Sequence, residues 1–183
     1  MSSNEINAQY VITRKDPFAK EWTITDTQTN SNYILEFHIT SPDLLKDPSG
    51  STISTVKNNG ITGMTKKMVF TRDKCQANIE WSGKLTSMSI TAKGTTTAPG
   101  FEQIDWKMNM NKEAWRLDII DTSTNETISK FWHSYRAYNE VGKLEILKDG
   151  LGGDLKLFLA YLSGYTFRHL LSELPQLGWD MSK

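Results

Sequence analysis

The stretch over residues 154–174, DLKLFLAYLSGYTFRHLLSEL, constrains this chain more than any other. It is the one long helical candidate in a sequence that otherwise reads as short strands and turns. A surface helix shows an apolar stripe and a polar face. Between Leu157 and Phe167 almost every residue is apolar or aromatic. Lys156 and Ser163 fall near one azimuth, while Tyr161, Tyr165 and Thr166 spread around the rest. A helix of this kind must be enclosed on nearly all sides. Its apolar run falls short of the roughly 20 residues that span a bilayer, and the helical stretch carries Lys156, Arg168 and His169, so no transmembrane span is expected. Asp154 is the expected N-cap, and Pro175 the stop.

The rest of the chain alternates in twos. Residues 10–12 open a first strand. Trp22, Ile24 and Asp26 then alternate with Thr23 and Thr25, and Tyr33, Leu35, Phe37 and Ile39 share one face of the next strand. Residues 41–50, SPDLLKDPSG, read as a loop with two prolines. Further strands are expected over residues 51–56, 68–71, 77–81, 87–92, 104–110, 114–120, 127–135 and 143–147. That makes about ten to twelve short strands at the spacing of a sandwich or barrel. Two segments echo each other: a tryptophan strand runs into Asp26-Thr27-Gln28-Thr29-Asn30, and another into Asp121-Thr122-Ser123-Thr124-Asn125. This is either a duplicated hairpin or the convergent use of good turn residues.

Many antiparallel strands must dispose of their edges, and closure into a barrel removes them. A barrel of this many strands is too wide for wall side chains alone to fill. The expected fold is therefore mainly β: a closed antiparallel barrel with the hydrophobic C-terminal helix, residues 154–174, filling it. The competing arrangement lays the helix across an open sandwich. Residues 1–8 are a polar, flexible N-terminus, and residues 9–183 form one domain with the core helix and a short tail. The tail, with Leu177, Trp179 and Met181, either folds back over a barrel end or anchors a partner.

Ala77-Asn78-Ile79-Glu80-Trp81, Asp105-Trp106-Lys107, Trp115-Arg116-Leu117-Asp118, Ile128-Ser129-Lys130-Phe131 and Leu144-Glu145-Ile146 before the helix carry a family resemblance. Over residues 9–174 the chain resembles the tubby C-terminal-like superfamily, which includes tubby domains, LURP-one-related proteins and phospholipid scramblases; it looks most like a fungal branch of it. The resemblance implies a barrel that surrounds its helix. Some members bind phosphoinositides through basic residues on the barrel surface. Those residues cannot be matched here one for one, so the resemblance gives no lipid site. The cysteine-rich segment and full-length membrane span associated with scramblases are not seen in the sequence.

Function classes narrow by exclusion. Twenty-one basic residues balance twenty-one acidic ones, which argues against a nucleic-acid partner. The single cysteine, Cys75, cannot form an internal disulfide, and the first residues lack the pattern of a secretory signal; a cytoplasmic location is expected. His38, His133 and His169 lack metal-ligand spacing, so no metal is expected. Cys75 follows Arg72 and Lys74, which would lower its pKa at close range, but no nucleophile motif surrounds it. Asp118 and Asp121 read as a strand residue and its turn. Gly150-Leu151-Gly152-Gly153 lacks the P-loop lysine, and no cofactor is expected. Trp22, Trp81, Trp106, Trp115 and Trp132 sit in strand patterns as core or wall.

The one local basic excess comprises Lys57, Lys66, Lys67, Arg72 and Lys74. It is either a patch for anionic lipid headgroups or a solvated strand pair with lysines guarding an edge. The function expected is non-enzymatic: a binding or scaffold domain for anionic phospholipid headgroups or a protein partner. The alternative is a calycin-like carrier with a small apolar ligand inside the barrel and the helix outside.

Overall fold

The computed structural model describes residues 8–40, 42–58, 65–84, 89–111, 113–134 and 138–173. Twelve strands form one closed antiparallel barrel. They are β1 (Tyr10–Arg14), β2 (Glu21–Asp26), β3 (Asn32–Glu36), β4 (Asp43–Lys46), β5 (Thr52–Asn58), β6 (Thr65–Arg72), β7 (Cys75–Lys84), β8 (Ser89–Thr96), β9 (Gln103–Asn111), β10 (Arg116–Asp121), β11 (Thr127–His133) and β12 (Glu140–Ile146). Each pairs with its neighbours in sequence, and β1 closes the circle against β12 with Tyr10 opposite Leu144. Inward and outward residues alternate as the pleat requires: Tyr10 and Ile12, Trp22 and Ile24, Met68 and Phe70, and Ile104, Trp106 and Met108 are all buried.

The helix α1 (Gly153–Glu173) runs through the lumen. Five consecutive residues, Phe158 to Leu162, are fully buried; at 3.6 residues per turn they sweep the whole circumference, so no face is left for solvent. Their neighbours lie all round the wall. Phe158 packs on Phe70 of β6 and Trp106 of β9, Tyr165 on Trp81 of β7, and Phe167 on Phe131 of β11. Gly164 backs onto Ile12 of β1 and Leu35 of β3. The dimensions agree with this arrangement. Strands about 4.8 Å apart, tilted by about 40°, put a twelve-stranded wall on the order of 12 Å from the axis, close to the roughly 10 Å between packed layers. The helix also buries the polar groups of Tyr161, Ser163 and Thr166. Thr166 Oγ1 accepts from Trp81 Nε1 at 3.0 Å and lies 3.3 Å from Met108 Sδ.

Three readings of the sequence are corrected, and an alternative it leaves open is decided. β4 lies inside the expected loop of residues 41–50; Pro42 and Pro48 flank a strand of only four residues, too short to show a period. Asp154 is not the N-cap: the Gly152 carbonyl accepts the first helical bond, from Lys156 N–H at 3.0 Å, and Asp154 instead faces Arg72 Nε at 3.6 Å. Trp115 lies outside β10, in a left-handed turn residue (φ 49°). The two echoing turns do match: Asn30 and Asn125 have φ of 56° and 58°, and their N–H groups donate to Asp26 O and Asp121 O. The tryptophans before them do not occupy equivalent places, so shared turn chemistry accounts for the echo. The tail over residues 174–183 and residues 1–7 lie outside the described residues. No helix among the described residues is long and apolar enough to cross a membrane.

Candidate functional site

An up-and-down barrel sorts its connections into two sets. One end carries the β2–β3, β4–β5, β6–β7, β8–β9 and β10–β11 turns and the start of α1. The other, here called the mouth, carries the remaining connections and the last turns of α1. The mouth gathers charge in an unusual way. Arg14 follows Ile12, Asp43 precedes Leu45, Lys66 precedes Met68, and His133 follows Phe131, each at the inward-facing parity of its strand. Each is one inward step beyond a buried hydrophobe, where the wall meets solvent. The helix adds Tyr165, Arg168 and His169. With Pro17, Phe18, Phe37 and Leu171 they line a cleft of about 560 Å³. A second cleft of about 360 Å³ shares Asp43, Lys66 and Tyr165 and extends past His38, Ile39 and Lys57.

The two arginines set the electrostatics. Arg168 is half-buried, with its guanidinium 4.9 Å from the centroid of Phe37 and 5.5 Å from that of Trp22. Cation–π contact holds it over the rings. Burial pushes its pKa down, Arg14 pushes the same way, and Asp43 opposes them. Burial likewise lowers Arg14, with Asp16 opposing it, and among the described residues its buried Nε has no hydrogen-bond partner. Among the described residues, neither guanidinium has a carboxylate within ion-pair distance. Asp43 is the one acid lining the cleft. Its Oδ1 accepts from His38 N–H at 2.7 Å, and burial raises its pKa. Lys66 Nζ donates to the side-chain carbonyl of Asn58. His133 donates Nδ1–H to the Val141 carbonyl at 2.6 Å, and burial lowers its pKa. Three permanent cations thus face one carboxylate, on a chain of zero formal net charge. Guanidinium forks of this kind suit carboxylate and phosphate oxygens.

The basic excess read from the sequence is divided. Lys66 lines both clefts, and Lys57 borders the smaller one. Lys57 and Lys67 are opposed across β5 and β6 on the outer face. There Lys67 faces Glu80, Glu80 faces Lys93, and Lys93 Nζ lies 3.1 Å from Asp105. Arg72 is six residues beyond Lys66 on the same strand, about 20 Å away. Its Nε lies 3.6 Å from Asp154 and 3.7 Å from Asp73, and its guanidinium stacks over Tyr33 at 5.1 Å. Lys74 is exposed in the adjoining turn. The lysines guard no edge, because β5 and β6 are interior neighbours in a closed sheet.

Other candidates are accounted for locally. Cys75 is buried 3.6 Å from Thr96 Oγ1, and burial pushes its thiol up rather than down. Asp118 forms a two-pronged pair with Arg116, at 2.6 and 2.9 Å. Among the described residues no group of three His, Cys, Asp or Glu is placed to hold a metal ion. Sequence reading missed Arg14, Arg168, His133 and Asp43 as a group. The available signal was a charge at the inward parity of a strand end, as in Ile12-Thr13-Arg14 and Lys66-Lys67-Met68. Their convergence depends on closure. Compared with protein-family models, with curated proteins and with solved structures, the chain matches none.

Proposed function

We propose that this chain is a tubby-like, non-enzymatic binding domain whose mouth receives an anionic phospholipid headgroup on the cytoplasmic side of a membrane. The observation that carries the reading is the pair of half-buried arginines, Arg14 and Arg168, in a solvent-facing cleft; among the described residues neither has a carboxylate within ion-pair distance. Burying cations without an internal partner is costly unless something supplies the charge. The twelve-stranded barrel around one C-terminal helix supports the tubby-like assignment. A carrier of a small apolar ligand would need the volume that α1 takes up, so that alternative has no observation in its favour. An acidic protein segment would use the same cations and is the second outcome of the test.

The test is calorimetric titration of the protein with soluble inositol phosphates and, separately, with an acidic peptide. R168Q is expected to weaken inositol phosphate binding by about tenfold or more, the worth of a charge-assisted hydrogen bond. D43N, which keeps an acceptor for His38 N–H, is expected to tighten it by about fivefold by removing an opposing charge. Absence of binding in the wild type, or equal affinity in all three proteins, would refute the headgroup reading. Preference for the peptide would transfer the site to a protein partner.

A further inference from the structure

Resting on the headgroup reading, we infer that the mouth is a membrane-docking surface on which Phe18 and Ile39 enter the interfacial layer while Arg14, Lys66 and Arg168 meet lipid phosphates. Among the described residues, four large hydrophobic side chains are notably exposed: Phe18 (89 %), Ile39 (89 %), Tyr138 (66 %) and Leu147 (40 %). The first three lie on mouth connections. Phe18 borders the larger cleft, Ile39 the smaller one, and Tyr138 lies near Arg14. Apolar tips around a cationic cleft match an anionic bilayer, which offers phosphate at the level of the cations and hydrocarbon just beyond.

Phe18 is held outward by its loop. Asp16 Oδ1 accepts Phe18 N–H at 2.8 Å, and Asp16 O accepts Ala19 N–H at 3.1 Å, with Pro17 between them. The loop is therefore already ordered, and little conformational entropy remains to be lost on docking. The opposite end has the opposite character. Its connections and the strand ends beside them carry Asp26, Asp47, Asp73, Glu102, Asp121, Glu126 and Asp149 against Arg72, Lys74 and Lys148, an acidic excess, so an anionic surface attracts the mouth and repels the far end. The barrel axis then stands on the membrane with the C-terminal turns of α1 facing the lipid.

The experiment is co-sedimentation of the full chain with phosphatidylcholine vesicles, with and without phosphatidylserine and a phosphoinositide, run beside the soluble inositol phosphate titration. The variant F18A/I39A changes only exposed side chains, and L147A is its control on the far end. The double variant is expected to lose about tenfold or more in association with anionic vesicles, as when two large apolar side chains leave the interface. Because Phe18 and Ile39 also border the clefts, the double variant should lose more in vesicle association than in affinity for the soluble headgroup, whose charged partners are retained, and the vesicle binding of L147A should stay at the wild-type level. Wild-type vesicle binding by F18A/I39A, or an equal loss in L147A, would overturn the docking surface. Binding of the soluble headgroup without vesicle association would overturn it too, leaving the cleft as a site for a free phosphate compound. Vesicle association that needs Phe18 and Ile39 but survives R168Q would keep the docking surface and remove the headgroup site.

Discussion

At Gly164 a Cβ would stand 2.8 Å from Ile12 Cδ1 and 3.8 Å from Leu35 Cδ2. Glycine in mid-helix costs about 1 kcal/mol relative to alanine, so its presence there reflects space rather than helix preference. Alanine needs only a small shift of the Ile12 terminal methyl, and its better helix propensity offsets that; leucine needs room for a whole side chain. We expect G164A to unfold within about 1 kcal/mol of the wild type and G164L to lose about 3 kcal/mol or more, as read from chemical denaturation. An unchanged midpoint for G164L would show that the helix is not enclosed. Gly142 is tighter still, since a Cβ there would meet Trp132 O at 2.4 Å and Phe131 Cζ at 2.5 Å. The small residue in α1 was visible in the sequence, because Gly164 interrupts a run of large apolar neighbours. The need for Gly142 was not, because its obstacle is backbone brought beside it by the pairing of β11 with β12.

The helix is the element on which closure depends. The buried run from Leu157 to Phe167 covers about 16 Å, matching a wall of roughly seven-residue strands tilted by about 40°. Inward-facing Phe70 and Trp106 pack on Phe158 of the helix, and Trp81 on Tyr165. A chain ending at residue 152 would leave that lumen to water, far beyond the cavity cost of any single core substitution. The expected outcome is loss of the cooperative thermal transition and of near-ultraviolet circular dichroism. A cooperative transition like that of the full chain would refute the role of α1 as the core. This element was legible because its composition leaves no solvent face, whatever surrounds it. β4 was not legible. Asp43-Leu44-Leu45-Lys46 shows no alternation over so few residues, and its pairing with β3 and β5 is imposed by the closed sheet.

Across the whole molecule the two ends differ in what happens to their charges. At the far end Arg72 faces Asp154 and Asp73, and Lys148 pairs with Glu126. At the mouth Arg14 and Arg168 share a cleft with Asp43 and His133. His133 makes folding itself sensitive to acid. Burial, the largest cause, lowers its pKa in the folded protein, while the unfolded chain titrates near 6.5. As pH falls below about 6.5 the unfolded state takes up the proton first, so stability declines until the folded pKa is passed. The thermal midpoint is expected to drop over that window, and H133Q to flatten the drop; an equal slope in the variant would assign the effect elsewhere. The sequence by itself determined the mainly β class and the enclosure of the helix. Period-two alternation and an all-round apolar helix are local properties, and burial of apolar surface allows them few solutions. Only the tertiary structure decided which charges meet. Arg14, Asp43, Lys66, His133 and Arg168 lie far apart in the chain, and closure of β1 on β12 around α1 brings their strand ends to one rim. The same closure sends Arg72 and Lys74 to the other rim although they follow Lys66 and Lys67 closely in sequence, because a strand carries its two ends to opposite sides of the molecule.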